Sequence, residues 1–513
     1  MSAFADALSR VPPLLAAHVL LSVAALALAV AIALPLAVWS ARRPRVARVA
    51  LGFASLVQTI PSLALLALFF PLLLSLQWLL PVSPLGFAPA LFALTLYALL
   101  PLLRNGVAGL NGIDRGVGEA ADAVGMTTWQ KLALVEAPLA GPVAIAGLRT
   151  AATWTIGAAT LSTTVGQASL GDLIFAGLQT QSWSLVLAGC LGAAVLALSV
   201  DAGIGLVERG LATRRRRLWL GASVALAAGL ALATMPLWRQ ALRSGGERPV
   251  VVGAKNFAEQ YILARLIGDR LERAGYRVEY RDGLGSAVIF GAVASGAVDV
   301  YVDYAGTIWT NEMRRTDVPD RLAMLRAIGD WTMRTKGVRM VGALGFENAY
   351  AFAMKEGEAQ RLGIATLSDL AARSPTLRLG SDLEFLERPE WAAVRRAYRM
   401  RFAAATPYSP TFMYQALASG RVDVISAFSS DGRIAADRLR VLSDPERAIP
   451  GYDAMLLVAP ARARDARFLR ALAPLVGRVP VAAMRAANYR VDRAEAKETP
   501  KQAARWLAAR VGL

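Results

Sequence analysis

Residues Leu218–Trp238 read LWLGASVALAAGLALATMPLW, a run without a charged side chain. About 20 apolar residues carry a helix across the hydrocarbon core of a bilayer. Arg214-Arg215-Arg216-Arg217 stands immediately before the run, and Arg239 and Arg243 lead from it into Ser244-Gly245-Gly246. Basic residues stay on the cytoplasmic side, so the arginine block predicts a span that runs from inside to outside. The chain before it is strongly apolar, and the chain after it has the patterning of a water-soluble α/β protein. The run is therefore expected to tether a soluble module on the outer face.

Of the 513 residues 55% are hydrophobic, and the net charge is +18. That is too long for one domain and too apolar for a wholly soluble chain. Much of the basic excess flanks apolar segments and the rest is scattered arginine. A nucleic-acid partner, which would call for basic and aromatic residues interleaved on a soluble face, is not expected. Cys190 is the one cysteine and lies in an apolar segment. His18 is the one histidine and lies in the first apolar stretch, where a packed or interfacial role is expected. A metal site built on Cys and His is excluded, and no cofactor is expected.

Six transmembrane helices are expected: Leu14 to Trp39, Val49 to Leu74 (interrupted by Pro61 and Pro71), Ala88 to Leu103, Pro138 to Leu161, Leu185 to Leu206, and Leu218 to Trp238. The first lacks a basic leader and a cleavage site, so it reads as a retained span. Arg42, Arg43, Arg45 and Arg48 put the following loop inside, as do the charges of residues 104–136. Ser75 to Phe87 and Ser162 to Ser182 contain no Lys or Arg and go outside. This predicts an outer N-terminus with every basic loop inside. The membrane region is 1–212, the sixth span and linker 213–246, and the soluble region 247–513. In the last, Val250 to Val252, Val278 to Tyr280, Val298 to Val302, Arg378 to Gly380 and Val422 to Ala427 read as strands. Glu259 to Ala274, Ala287 to Ala294 and Phe412 to Ala418 read as helices, and Ala463 to Leu513 as further helices. Such alternation predicts two α/β lobes with a ligand cleft between them.

The polar loop contains Glu119-Ala120-Ala121-Asp122-Ala123-Val124-Gly125, then Leu134 and Pro138. This resembles the EAA loop of ABC importer permeases, a cytoplasmic helix that docks on the ATPase subunit; Gly125 suits its C-terminal end. Thr59-Ile60-Pro61-Ser62-Leu63-Ala64-Leu65-Leu66, Tyr97 to Asn105 and Gly171-Asp172-Leu173-Ile174 are similar to the permeases of glycine betaine/choline (osmoprotectant) importers. Gly253 to Tyr261, Val302 to Thr307, Phe385 to Pro389 and Ser429 to Ile434 are similar to the quaternary-amine binding proteins of the same importers. The chain has no phosphate loop of the Gly-x-x-x-x-Gly-Lys-Ser/Thr type, so ATP hydrolysis would fall to a separate ATPase subunit and this chain would be no enzyme.

The resemblance implies an all-α membrane permease followed by a two-lobed periplasmic-binding-protein-like domain. The same resemblance implies a place in the cell (inner) membrane with the C-terminal domain extracytoplasmic (periplasmic), and a homodimer of the permease domain within membrane lipid. A quaternary ammonium has no N–H and is held by aromatic faces. By resemblance that cage is Tyr304, Tyr350, Phe428 and Tyr452, with Phe428 where the family commonly has tyrosine. A ligand carboxylate needs charge-assisted donors, which by the same match are Lys255, Thr307 and Arg388; Asp303 is expected to orient a ring or to meet the cation. ATPase coupling falls on Glu119, Ala120, Ala121 and Gly125. The implied ligands are glycine betaine, choline and carnitine. Ergothioneine, also a trimethylammonium betaine, is the alternative cargo, and a membrane-anchored osmolyte sensor is the alternative from another class.

Overall fold

The computed structural model describes residues 3–76, 79, 82–180, 182–243, 248–382, 385–408, 410–493 and 495–513. Ser244 to Gly246, expected on the outer face, lie outside the described residues. The chain divides into two compact units, Met1–Phe175 with Ser184–Glu247, and Ala176–Trp183 with Arg248–Leu513.

The first unit is helical. Among its described residues five helices are long and apolar enough to cross a membrane: Val11–Arg42, Phe87–Asn111, Thr128–Val165, Trp183–Ala212 and Arg216–Leu237. The second expected span is not one straight helix. It is a pair, Pro44–Thr59 and Ser62–Ser75, bent by 103°. Proline disfavours helical backbone in the residue before it and donates no N–H, and Ile60 and Pro61 are both extended, with ψ of 125° and 135°. Pro71 is carried inside the second helix of the pair. Counting the pair as one span makes six.

Small residues set the helix spacing, as is usual in lipid. A Cβ on Gly106 would lie 2.8 Å from that of Ala37, and one on Gly147 would lie 2.6 Å from that of Asn105. The arginine block forms a tight helical turn: Arg214 takes φ +54°, the Arg215 amide donates to the Gly210 carbonyl at 2.8 Å, and Arg216 begins the last helix. His18 is buried, with Nε2 3.0 Å from the Ile156 carbonyl and Nδ1 accepting from the Leu170 amide, the packed role expected of it.

Among its described residues the second unit holds ten strands: β1 (Val250–Lys255), β2 (Val278–Leu284), β3 (Val300–Tyr304), β4 (Arg339–Glu347), β5 (Tyr350–Lys355), β6 (Arg378–Asp382), β7 (Ala404–Tyr408), β8 (Val424–Phe428), β9 (Leu439–Val441) and β10 (Asp453–Val458). Among the described residues they form two five-stranded sheets, in the orders β2-β1-β3-β10-β4 and β7-β6-β8-β5-β9. The β1, β2 and β3 pairings are parallel, as the alternation of strand and helix predicts. The sheets are mixed rather than purely parallel, because β10 runs antiparallel to β3 and β4, and β5 antiparallel to β8 and β9. The chain leaves the first sheet after β4, builds the second, and returns as β10. The Ala258–Arg273 helix is buried along most of its length, with Ile262, Leu266 and Ile267 in the core. Helices Val481–Asp492 and Pro500–Val511 pack on it and close the first lobe.

Candidate functional site

The two lobes are joined by the chain leaving β4 and the chain entering β10. Asn348 and Ala349 link β4 to β5, and Tyr452 immediately precedes β10. The Asn348 amide donates to the Tyr452 carbonyl at 2.9 Å, so the two crossings are hydrogen-bonded together. This places Tyr350, the first residue of β5, and Tyr452 side by side at the hinge. In the β5–β8 ladder Tyr350 pairs with Phe428, and directly opposed residues share a face. The ring of Tyr350 lies 5.0 Å from that of Phe428 and meets Tyr452 edge-on at 5.8 Å. Gly306 admits the Tyr452 ring, since a Cβ there would lie 2.4 Å from it. The Tyr452 hydroxyl donates to Glu390, which holds it as a neutral phenol; burial, followed by the Glu390 charge, pushes its pKa well above the ordinary tyrosine value.

These rings line a cavity of about 170 Å³ between the two sheets. All seven ligand-site residues expected from the sequence reach it: Tyr304, Tyr350, Phe428, Tyr452, Lys255, Thr307 and Arg388. Tyr350, Phe428 and Tyr452 form one ring cluster. Tyr304 stands apart from it, stacked instead on Phe257 at 6.1 Å, an aromatic wall that the sequence reading had passed over. Two of the three expected carboxylate donors, Lys255 and Arg388, are already ion-paired. Lys255 is buried and its ammonium is paired with Asp303, which also accepts from the Tyr301 hydroxyl and the Tyr304 amide. Asp303 is thus the counter-ion of Lys255 and the anchor of the Tyr304 backbone. Arg388 lies 3.6 Å from Glu390 and 5.3 Å from the Tyr350 ring. Arg433 is paired with Asp431 through two contacts of 2.8 and 3.1 Å and lies over Tyr414. Each of these three cations carries its own acid in the cavity wall.

Glu259 received no role from the sequence and is the hub of the cavity floor. Its Oε1 accepts from the Tyr304 hydroxyl at 2.6 Å and Asn348 Nδ2 at 3.1 Å. Its Oε2 accepts from the Ser430 hydroxyl at 2.5 Å and Asn488 Nδ2 at 2.8 Å. These four donors are neutral and come from the first lobe, the hinge, the loop after β8 and a C-terminal helix. Burial, opposed by the Ser430, Tyr304 and Asn488 hydrogen bonds, raises the pKa of Glu259 above the ordinary glutamate range. Asp492, on the same helix as Asn488, is pushed up to about 7 by burial, against the field of Arg433. Glu259, Ser430, Asp431 and Arg433 stand in the stretches that carry the family resemblance. No sequence signal points to Asn348 or Asn488.

A second candidate site lies in the helical unit. Asp114 caps the helix Arg115–Ala123 by accepting from the Gly116 amide. The helix stops where expected: Gly125 takes φ +77°, and the Met126 amide returns to the Ala121 carbonyl at 3.1 Å. Thr127 then caps the next turn through a capping box with Gln130. Glu119, Ala120 and Gly125 are exposed and Ala121 is buried. Val124 and Trp129 are 72% and 78% exposed, an apolar pair beside the Glu-Ala-Ala motif.

Comparison with known proteins adds the following. Residues 248–509 match the family described as the substrate-binding domain of ABC-type glycine betaine transport systems. Residues 33–213 match the binding-protein-dependent transport system inner membrane components. The ergothioneine transport permease/ergothioneine binding protein EgtU of Helicobacter pylori (strain G27) is 29% identical over 90% of this chain and 83% of its own length. The glycine betaine/carnitine/choline transport system permease protein OpuCB of Bacillus subtilis (strain 168) is 38% identical over 37% of this chain and 84% of its own. A crystal structure of a glycine betaine/carnitine/choline ABC transporter is 26% identical, covers 51% of this chain and 98% of that one, and gives a TM-score of 0.46.

Proposed function

The chain belongs to the binding-protein-dependent transport permeases and, in its C-terminal half, to the substrate-binding domains of ABC-type glycine betaine transport systems, and on that premise we propose that it imports a quaternary-ammonium compatible solute. As a transport subunit it performs no bond chemistry. The binding unit works on the extracytoplasmic side, in keeping with the arginine turn at Arg214 to Arg217 ahead of the last span. Two copies of the permease form the pore. A separate ATPase subunit docks on Arg115–Ala123, with Val124 and Trp129 supplying apolar contact.

The observation that carries this reading is the Tyr350–Phe428–Tyr452 ring cluster at the hinge. Aromatic faces are what a trimethylammonium group, which donates no N–H, binds best. Tyr452 donates a hydrogen bond to Glu390 and stays a neutral phenol, which enriches the ring and favours a cation over its face. Because the cluster sits on both crossings, a cation held there bridges the lobes and favours the closed cleft. The test is calorimetric titration of the full chain in detergent with glycine betaine, choline and carnitine. Tyr350→Leu is expected to weaken whichever ligands bind by roughly tenfold, since a desolvated cation–π contact contributes up to about 2 kcal/mol. Undiminished affinity in that variant would remove the cage. Ergothioneine is the second reading, favoured by a relative of that transport activity that aligns along 90% of this chain.

A further inference from the structure

One carboxylate of the cleft wall is unmatched. The cations of the wall are each paired, Lys255 with Asp303, Arg388 with Glu390 and Arg433 with Asp431. Of the other acids, Glu259 is surrounded by its four donors, and Asp382 accepts from the Phe385 amide at 3.1 Å. Asp492 lines the same cavity and is 8% exposed, yet among the described residues its side chain enters no hydrogen bond or ion pair. No oxygen of Asp492 is among the sealed, unbonded polar atoms of the interior, so its carboxylate reaches a cavity surface. A second cavity of about 650 Å³, lined by Tyr414, Asp437, Tyr489 and Glu495, shares Asp492 and Arg433 with the cleft, so these two side chains stand between the cavities.

The charges around Asp492 come from several elements. Asp431 and Arg433 face it from the loop after β8, Glu259 from the Ala258–Arg273 helix, Tyr414 from the Pro410–Ala418 helix, and Lys497 from the chain that follows its own helix. Arg490, Arg493 and Glu498 pair among themselves. Arg433 and Lys497 act on Asp492 through their fields and not as ion-pair partners, and burial outweighs them, pushing its pKa up to about 7. A buried carboxylate without a partner is costly as an anion and gains most from a cation brought to it. Resting on the reading of the cleft as a quaternary-ammonium site, we infer that Asp492 is a specificity-determining residue: it gives up its proton when a ligand of net positive charge enters, and so favours such a ligand over a zwitterion. The balance is simple. The neutral acid and the cation become a carboxylate facing the cation, and the proton passes to solvent, for which the second cavity offers a way out that a ligand in the cleft does not block. A zwitterion brings its own negative end, so its two fields largely cancel at Asp492.

The test is calorimetric titration of the full chain in detergent with choline (a cation) and with glycine betaine and ergothioneine (zwitterions), from about pH 6 to about pH 8, each in two buffers of different ionisation enthalpy. If the cation makes ionisation of Asp492 about tenfold easier, choline affinity rises about fivefold across that range, and its binding at neutral pH releases about 0.4 proton. Glycine betaine affinity stays level and its binding releases almost none. In Asp492→Asn the choline profile flattens and the proton release vanishes, while affinity for glycine betaine stays within about twofold. A level choline affinity, or equal proton release for choline and glycine betaine, overturns the inference on the unaltered chain, whatever the variant does. A pH dependence that survives in Asp492→Asn, or binding of the zwitterions without choline, also overturns it; all of these leave the quaternary-ammonium reading standing. Binding of none of the three overturns that reading, and this inference with it.

Discussion

Glu259→Gln keeps the shape of the hub and removes its charge. The hydroxyls of Tyr304 and Ser430 accept as readily as they donate, and adjust to an amide neighbour. The asparagines do not, since the new NH2 meets an asparagine NH2 whichever way it points. Asn488 is also anchored to the Ser430 carbonyl, so the amide that turns is Asn348. Four hydrogen bonds to a charged acceptor become neutral ones, a loss of roughly 1 kcal/mol each. Relief of the desolvation of a buried carboxylate, several kcal/mol, offsets most of that. The net effect at neutral pH is therefore small, and the diagnostic is its dependence on pH. The pKa of Glu259 in the folded protein lies above its ordinary value of 4.5, with burial the leading cause. Such a group contributes stability that is complete below the unfolded pKa and is lost as pH rises through the folded one. Glutamine has no such dependence. Thermal melting of the wild type minus the variant should therefore fall as pH rises from about 4 to 8. A difference that grows with pH would show that the hub holds Glu259 as a stabilised anion, and would refute the reasoning.

Three further outcomes follow from the geometry. Arg388→Ala should weaken glycine betaine more than choline, by roughly 1.5–3 kcal/mol for the lost charge-assisted bond; equal losses in paired titrations would make Arg388 a structural partner of Glu390. Gly306→Ala puts a methyl where the Tyr452 ring now lies, and should reduce affinity for every quaternary amine at least tenfold through displacement of that ring, a loss of the order of one desolvated cation–π contact; unchanged titrations would take Tyr452 out of the cage. Glu119→Lys should abolish uptake in cells while leaving ligand affinity of the purified chain unchanged, and normal uptake would refute the docking role.

Some of the site was readable before the fold was known. Tyr304 and Phe428 stand just past runs with strand patterning, and both end strands. Gly125 closes the helix that begins after Asp114, because a left-handed residue is what such an end demands. The bend at Pro61 was also written in the chain, as an interruption of the second span, although its 103° angle was not. Lys255 shows the opposite case. Its position in a family stretch marks it as a ligand donor, yet its ammonium is matched by Asp303, 48 residues away. Sequence patterning says that a charge is present; it does not say what already neutralises it.

The sequence alone determined the division into membrane and soluble parts, the sidedness signalled by arginine, and the α/β patterning, because hydropathy and periodicity are local properties of the chain. Only the tertiary structure decided the hub. Glu259 meets Ser430 across 171 residues and Asn488 across 229. Donors from such distant segments have no mutual signal in a single sequence. They become one object only when the return of β10 to the first sheet and the packing of Val481–Asp492 on Ala258–Arg273 bring them round one carboxylate.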